Sequence, residues 1–360
     1  MKLYQAIKYY TNTILAPSHK ILSRLWPLLI AIRYEILIIY KVTVADWTTA
    51  IIPPLLMAIG AFYMYFFSSI STYDGGYFNA ILHVISPRIF RVIIYFTNYL
   101  IFFNWFNQLN SVEEDRINKP FRPIPSGLIT VKGAKYHLAA FSIIYPIIAY
   151  LIGGLSSLCL CFMWQAWTVF NEVLKLGKNA FHKNLFSAVG MWIQLASCYY
   201  IMVDTDPGIS ELLNNKPCLF KFAIFFFILT TAQVQDMGDQ KGDKLSGRKT
   251  LPLLMKDNTC RWLTVLMLAI SFLMLHSVAN VFLLTIAEEN LENNIIDGFV
   301  GKEFGIVEFI LLALNVFTCI RLFMYRDPKH DSFTYQIGYG GIYCTMCLYY
   351  GMCINKYIKY

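Results

Sequence analysis

Charged side chains are scarce in this sequence. Asp, Glu, Lys and Arg make up 14% of its 360 residues, whereas they make up roughly a quarter of an ordinary soluble domain. Hydrophobic residues reach 57%, and the mean hydropathy is +0.50. This balance excludes an ordinary soluble or disordered chain. It predicts an all-α polytopic membrane protein.

Two kinds of segment are also missing. The first 45 residues lack the apolar run and small-residue cleavage site of a secretory signal peptide. No linker rich in Gly, Ser and Pro divides the rest, so we expect an N-terminal segment, 1–45, and a single domain, 46–360. Within the first segment, the apolar stretch LWPLLIAIRYEILIIYK is broken by Arg33 and Glu35. It predicts an interfacial helix lying against the first membrane span.

A disulfide framework is not indicated, since the nine cysteines are odd in number and most of them lie within apolar runs. Cys344 and Cys347 have the spacing of a redox or metal pair, but they lie in an apolar segment without a partner pair. We therefore interpret them as packing residues.

Long hydrophobic runs are abundant instead. A bilayer span needs about 20 mostly apolar residues, and nine segments qualify. They are 47–69, 88–109, 134–153, 155–174, 184–203, 218–236, 260–284, 304–324 and 333–353. Most of the 30 Lys and Arg residues fall on the side of the N-terminus, whereas the opposite loops VDTDPGISELL and AEENLENNIIDGF are acidic. The positive-inside rule places the basic side in the cytosol. The net charge of +8 therefore indicates topology and not nucleic-acid binding.

Two acidic stretches end predicted spans on this cytosolic side. After span 2, Asn107, Ser111, Glu114 and Asp115 share one helical stripe, which Phe103 and Phe96 continue into the membrane. After span 6, Asp236, Asp239 and Asp243 form a second stripe. Basic residues follow each stretch: Lys119 and Arg122 after the first, Arg248 and Lys249 after the second.

Carboxylates at a helix C-terminus repel one another and the negative end of the helix dipole. Such clusters are unfavourable unless cations compensate them. Mg²⁺ suits them because it prefers oxygen ligands and is commonly shared between a few carboxylates and substrate phosphates. We therefore expect two or three Mg²⁺ ions that bridge a diphosphate, with the following Lys and Arg residues neutralising the phosphates.

At these residues the sequence resembles the UbiA superfamily of intramembrane prenyltransferases. The first stretch matches the family pattern at Asn107 and Asp115 and in the trailing segment NKPFRPIPSG, and the second matches at Asp236, Asp239, Gly242 and Asp243. Ser111 departs from the pattern, because it stands where the family has its central aspartate. Glu114, one turn further on, is a candidate to replace that charge. The form of the first motif looks most like the fungal branch, which includes membrane-bound sesquiterpene cyclases of the fumagillin-pathway bergamotene synthase type.

The resemblance implies a nine-helix bundle whose central cavity opens to the cytosol, and a site in an internal membrane such as the endoplasmic reticulum. It implies catalytic aspartates at Asp115, Asp236, Asp239 and Asp243. The implied metal ligands are Asn107, Ser111, Glu114, Asp115, Asp236, Asp239 and Asp243, and the implied diphosphate contacts are Lys119, Arg122, Lys183, Arg248 and Lys249. Phe96, Phe103 and Asn171 are candidates to line the cavity around a carbocation.

The expected activity is a Mg²⁺-dependent cyclisation of farnesyl diphosphate to a sesquiterpene hydrocarbon. Two alternatives remain open: transfer of the prenyl group to an aromatic or quinone-like acceptor, and transport or binding of a phosphorylated lipid. No obligate protein partner is expected.

Overall fold

The computed structural model describes residues 16–69, 85–203, 218–289 and 294–354. Residues 1–15 of the N-terminal segment, the acidic segment 204–213 and residues 290–293 of the second acidic loop lie outside the described residues. Within these ranges the chain is helical, and its one β feature is an isolated bridge between Asn179 and Lys249.

Twelve α-helices of six or more residues organise the described chain, and shorter helices, turns and loops join them. They are α1 (Ala16–Thr43), α2 (Ile52–Ser69), α3 (Ser86–Asn110), α4 (Val112–Asn118), α5 (Val131–Val173), α6 (Ala180–Val203), α7 (Cys218–Thr231), α8 (Val234–Leu245), α9 (Asp257–Glu289), α10 (Asn294–Met324), α11 (Pro328–Phe333) and α12 (Gly340–Ile354). Among the described residues, six segments are long and apolar enough to cross a membrane: Ser86–Asn110, Val131–Val173, Ala180–Met202, Leu219–Leu245, Asp257–Val281 and Gly305–Met324.

Helix α5 contains two of the predicted spans. Its backbone leaves the helical region at Gly153 and Gly154, where Gly154 has φ 65°. A side chain is strained at such a φ, so glycine permits the turn. The amide of Gln165 donates to the carbonyl of Ser142 at 3.2 Å, so the two halves run side by side as a hairpin. The predicted break between residues 153 and 155 is therefore present.

Helices α2 and α12 pack against each other through glycines. A Cβ on Gly60 would lie 2.3 Å from the carbonyl oxygen of Leu348, and one on Gly351 would lie 2.0 Å from that of Met57. The backbones of α2 and α12 therefore touch directly. The main core lies between these two helices and α3, α6 and α7, and it contains Tyr343.

Helix α1 packs on α3 and on the chain that leads into α5. Ile38 and Val42 are buried against Trp105 and Ala134. These buried contacts of α1 are with the second and third predicted spans, and Tyr40 of α1 also contacts Trp47, the first residue of the first predicted span, with ring centroids 5.8 Å apart. Its outer side carries exposed Trp26, as a lipid-facing surface allows.

Candidate active site

Both acidic stretches lie on short helices that are set off from the spans before them. The chain leaves helical geometry at Ser111, whose hydroxyl donates to the carbonyl of Asn107 at 2.8 Å, and α4 begins at the next residue. The second break, between α7 and α8, contains buried Gln233, which accepts from Asn184 and donates to Thr264, each at 3.0 Å. Each motif is thus carried on a short helix that follows a break in the regular helix of the preceding span.

A cavity of about 180 Å³ lies between these short helices and α3, α5 and α6. Its polar end is lined by residues of both motifs, among them Glu114, Asp115 and Asp239, and its other end is lined by aromatic side chains. The cavity therefore pairs a charged mouth with an apolar interior.

Asp115 is buried and forms an ion pair with one nitrogen of Arg122. Nη1 of Arg122 donates to both carboxylate oxygens at 3.0 and 2.9 Å, and Ser111 Oγ, whose proton is shared with the carbonyl of Asn107, lies 3.2 Å from Oδ2. Arg122 Nη2 also lies 3.5 Å from Asp46 Oδ2. Burial alone would lower the pKa of Arg122, but the Asp46 and Asp115 carboxylates outweigh it and raise that pKa above its usual value. The first motif thus holds a fixed guanidinium at the cavity wall.

Glu114 connects the two motifs. Its carboxylate lies 2.9 Å from Arg248, which follows the second motif. Burial raises the pKa of Glu114, while the positive charge of Arg248 acts in the opposite direction. Glu114 therefore supplies a carboxylate at the mouth where Ser111 supplies none.

The second motif places two aspartates behind the cavity and one in its wall. Asp236 and Asp243 are buried, and Lys183 forms an ion pair with Asp236. Neither carboxylate oxygen of Asp243 has a hydrogen-bond partner, although Arg248 lies 3.6 Å away and Lys183 lies 3.9 Å away. Asp239 lines the cavity, 3.8 Å from Lys119.

A glycine holds the two motif helices together. A Cβ on Gly242 would come within 2.1 Å of the side-chain amide nitrogen of Asn118, so any larger residue here would displace the Asn118 side chain. Asn118 also donates to the carbonyl of Asp239 at 3.4 Å. The motif glycine therefore brings the acidic side chains of α4 and α8 to one cavity.

These residues fit magnesium in kind but do not form a complete cage for it. Within the described ranges, no three His, Cys, Asp or Glu side chains converge closely enough to hold a metal ion by themselves. Each motif carboxylate lies near a Lys or Arg, because an uncompensated buried charge is strongly unfavourable. The unpartnered oxygens of Asp243 and the carboxylates of Glu114 and Asp239 are the hard oxygen donors that Mg²⁺ prefers. An ion here would take one or two carboxylates and complete its shell with phosphate and water oxygens.

The apolar end of the cavity is an aromatic wall, formed by Tyr99, Phe103, Trp164 and Phe186. Tyr99 stacks on Trp164 with ring centroids 4.5 Å apart, and Phe103 lies 5.5 Å from Trp164. The Tyr99 hydroxyl donates to the carbonyl of Gly190 at 3.1 Å, and a Cβ on Gly190 would lie 2.8 Å from the Trp164 ring. The wall is therefore closely packed and its ring faces are fixed.

Most of the residues singled out in the sequence line this one cavity. They are Asn107, Ser111, Glu114, Asp115, Lys119, Arg122, Asn171, Lys183, Asp239, Arg248 and Phe103. Asp236 and Asp243 lie behind Lys183. Phe96 is fully buried against Tyr99, outside the lining, and Lys249 is exposed, with its backbone N–H on the carbonyl of Lys178.

Sequence reasoning missed several lining residues. Asp46 precedes the first span as a lone carboxylate, and nothing local indicates that it meets Arg122, 76 positions later. Tyr99 and Trp164 lie in apolar spans crowded with aromatics, and the helical spacing of Tyr99 from Phe103 was the one available signal.

Curated relatives of this chain include both transferases and cyclases. It is 31% identical over 240 residues to a polyprenyl transferase of Hericium erinaceus, covering 66% of this chain and 75% of that protein. It is 28% identical over 323 residues to a diterpene cyclase of the same organism, covering 88% of each. The predicted resemblance to the UbiA superfamily, including its fungal members, is confirmed.

A UbiA homolog from Archaeoglobus fulgidus, solved bound to GPP and Mg²⁺, has a similar fold. The TM-score is 0.53 at 15% identity, over 88% of this chain and 99% of that one. A sequence model of the UbiA prenyltransferase family matches residues 68–287. This integral membrane protein therefore belongs to the UbiA prenyltransferase family.

Proposed function

We propose that the protein is a Mg²⁺-dependent terpene cyclase that converts farnesyl diphosphate to a sesquiterpene hydrocarbon and diphosphate. The observation that carries the proposal is the single cavity with fixed cationic side chains at its mouth and a packed aromatic wall at its other end. The diphosphate fits the cationic mouth, and the prenyl chain fits the aromatic end. Of the two Hericium erinaceus relatives, the diterpene cyclase matches over the greater share of this chain, and this supports cyclisation.

The charged mouth binds and orients the diphosphate. Arg122 is held in position by Asp115 and Asp46, so its free N–H groups need little reordering to meet phosphate oxygens. Lys183 and Arg248 line the same mouth. Magnesium, when bound, would neutralise the charge that develops on the leaving diphosphate, with Asp239, Glu114 and Asp243 as the proposed protein ligands.

The aromatic wall serves the step after ionisation. The C–O bond breaks heterolytically, its electron pair leaves with the diphosphate, and an allylic cation remains. The faces of Trp164 and Phe103 lie where they can stabilise this cation, and their packing excludes water that would capture it. Ring closure within the chain and loss of a proton to the released diphosphate complete a balanced reaction.

Several finer features belong to the same proposal. The chain would cross the membrane nine times as a single domain, 46–360, behind the N-terminal segment, with two or three Mg²⁺ ions at the mouth. The mouth would face the cytosol from the endoplasmic reticulum. The excess of Lys and Arg on that side and the hairpin in α5 support this topology.

The test uses membranes that contain the protein, Mg²⁺ and farnesyl diphosphate, with no acceptor. A hydrocarbon detected by gas chromatography with mass detection, and absent with Asp239→Asn or EDTA, is the expected result. Geranylgeranyl diphosphate is assayed in parallel, since one relative is a diterpene cyclase. Undiminished product in EDTA would exclude the metal role.

The second candidate is prenyl transfer to an aromatic or quinone-like acceptor, which the 31% identical polyprenyl transferase favours. In that case the prenyl diphosphate would stay intact when no acceptor is present and would be consumed when an aromatic acid is added as the acceptor. That outcome would replace the cyclase proposal.

A further inference from the structure

A second cavity adjoins the mouth of the candidate active site. It has a volume of about 480 Å³ and lies between α4, α8, α11 and the π-helical turn after α11. Asp46, Lys119, Gln235, Asp239 and Tyr335 line both cavities and so form the wall between them. We call this second cavity the antechamber.

The antechamber differs from the active-site cavity in its balance of charge. Arg122, Lys183 and Arg248 of the first cavity each lie against a motif carboxylate. Lys241 of α8 and Lys329 of α11 are exposed side chains that also line the antechamber, and neither forms an ion pair with a side chain that the structure describes. The two carboxylates of the antechamber wall, Asp46 and Asp239, lie near Arg122 and Lys119, so Lys241 and Lys329 leave this cavity with a net positive charge that favours a small anionic guest.

The antechamber is built on rigid contacts. A Cβ on Gly238 would lie 3.2 Å from the carbonyl of Pro328 and 3.4 Å from the amide of Ser332, so α8 and α11 meet along their backbones. Asp331 of α11 is fixed by a two-pronged ion pair with buried Arg261, at 2.8 Å for each prong. Lys241 and Lys329 are therefore attached to elements whose relative position is set before any ligand arrives.

We propose that the antechamber is the release site for inorganic diphosphate, which passes there from the active-site cavity after the C–O bond has broken. This inference rests on the proposed function. The leaving group gains a full negative charge when it separates from the prenyl cation and has no apolar part to hold it at the aromatic wall. Lys119, on the shared wall and 3.8 Å from Asp239, can contact it on both sides, and Lys241 and Lys329 receive it.

The experiment measures binding of inorganic diphosphate with Mg²⁺ by calorimetry, on the full chain in nanodiscs of neutral lipid. It is done alone and again after saturation with a thio-analogue of farnesyl diphosphate, whose C–S bond resists ionisation and which fills the active-site cavity. The test variant is Lys241→Gln/Lys329→Gln. The matched control, Lys244→Gln/Lys256→Gln, removes two exposed charges nearby that line neither cavity.

The wild type and the control should still bind inorganic diphosphate when the analogue is present, and the test variant should bind it about tenfold more weakly. The KM for the prenyl diphosphate should be the same in all three proteins. Equal weakening in both double variants would show a general charge effect and overturn the proposal. So would complete displacement of inorganic diphosphate by the analogue, since one site would then hold both.

Failure of the proposed function has a different signature. In that case the wild type would not bind the analogue or consume farnesyl diphosphate, while the difference between the two double variants in binding inorganic diphosphate would still decide the antechamber's role.

Discussion

At the scale of single residues, the candidate site is a set of carboxylates that are each opposed by a cation. Arg122 is fixed on Asp115, Lys183 on Asp236 and Arg248 on Glu114. These pairs keep the buried charges compensated before substrate arrives. Magnesium is positive and diphosphate is negative. When both bind, the carboxylates can pair with the metal and the Lys and Arg side chains with the phosphates, so no charge is left unpaired.

Ser111, which stands where the family has an aspartate, offers a direct test of these carboxylates. Glu114 supplies the carboxylate that Ser111 lacks, so Glu114→Gln should lower turnover by about 10²-fold, the usual loss when one electrostatic contact to the transition state is removed. Adding Ser111→Asp to that variant should recover part of the loss, since both positions line the cavity. The measurement is product formed against Mg²⁺ concentration. A double variant no better than Glu114→Gln would show that Glu114 does not replace the family's aspartate.

Trp164 tests the aromatic wall. Its removal in Trp164→Ala deletes the ring that stacks on Tyr99 at 4.5 Å and opens the apolar end of the cavity. We expect a lower hydrocarbon yield and new oxygenated products, because water then reaches the cation. Trp262→Ala, at an exposed tryptophan of α9, is the control for expression and folding. An unchanged product profile would show that Trp164 does not contact the cation.

At the scale of helices, the position of the second motif depends on a buried ion pair some distance from the cavity. Arg261, at the start of α9, donates to both oxygens of Asp331 in α11 and to the carbonyl of Leu322 at 2.8 Å. Helix α11 in turn packs on α8 at Gly238. The orientation of α8, and with it that of Asp239, therefore depends on a contact that touches no ligand.

Breaking this pair should destabilise the protein strongly. Asp331→Ala removes the carboxylate that holds Nη1 and Nη2 of buried Arg261 and leaves only Asp257, 2.8 Å from its Nε, so the expected cost is about 3 kcal/mol, the lower end for breaking a buried pair. Thermal unfolding in detergent should show a clearly lower midpoint. The double variant Arg261→Met/Asp331→Leu should be closer to the wild type, because it removes both charges. A double variant as unstable as Asp331→Ala would mean that lost packing, and not the lost charge compensation of Arg261, sets the loss of stability.

At the scale of the whole molecule, the glycine contact between α2 and α12 closes the bundle. Gly351→Val places a side chain where the carbonyl of Met57 already lies, and overpacking of this kind costs about 1–3 kcal/mol or more. The expected result is a lower yield of folded protein on size-exclusion chromatography. Gly341→Ala, on the same helix, meets only the side chain of Leu314 at 3.3 Å and should be tolerated. Equal behaviour of the two variants would contradict a close backbone contact at Gly351.

The general architecture was predictable because composition and run length decide it. The all-helical membrane fold follows from the apolar runs, and the hairpin in α5 from adjacent glycines between two such runs. The break at Ser111 was not predictable, since serine is compatible with a helix and the bond to Asn107 decides the local geometry. Asp46 was missed for a related reason, because its partner Arg122 is brought to it by tertiary packing alone.

The pairing of Gly60 with Leu348 and of Gly351 with Met57 also constrains how the protein is made. About four fifths of the chain separates these partners in order of synthesis. At about 5–20 residues per second, the ribosome needs some tens of seconds to reach α12 after it has made α2. During that interval α2 lacks the backbone that its glycine contacts in the folded protein, and the two helices can pair only after α12 has been made.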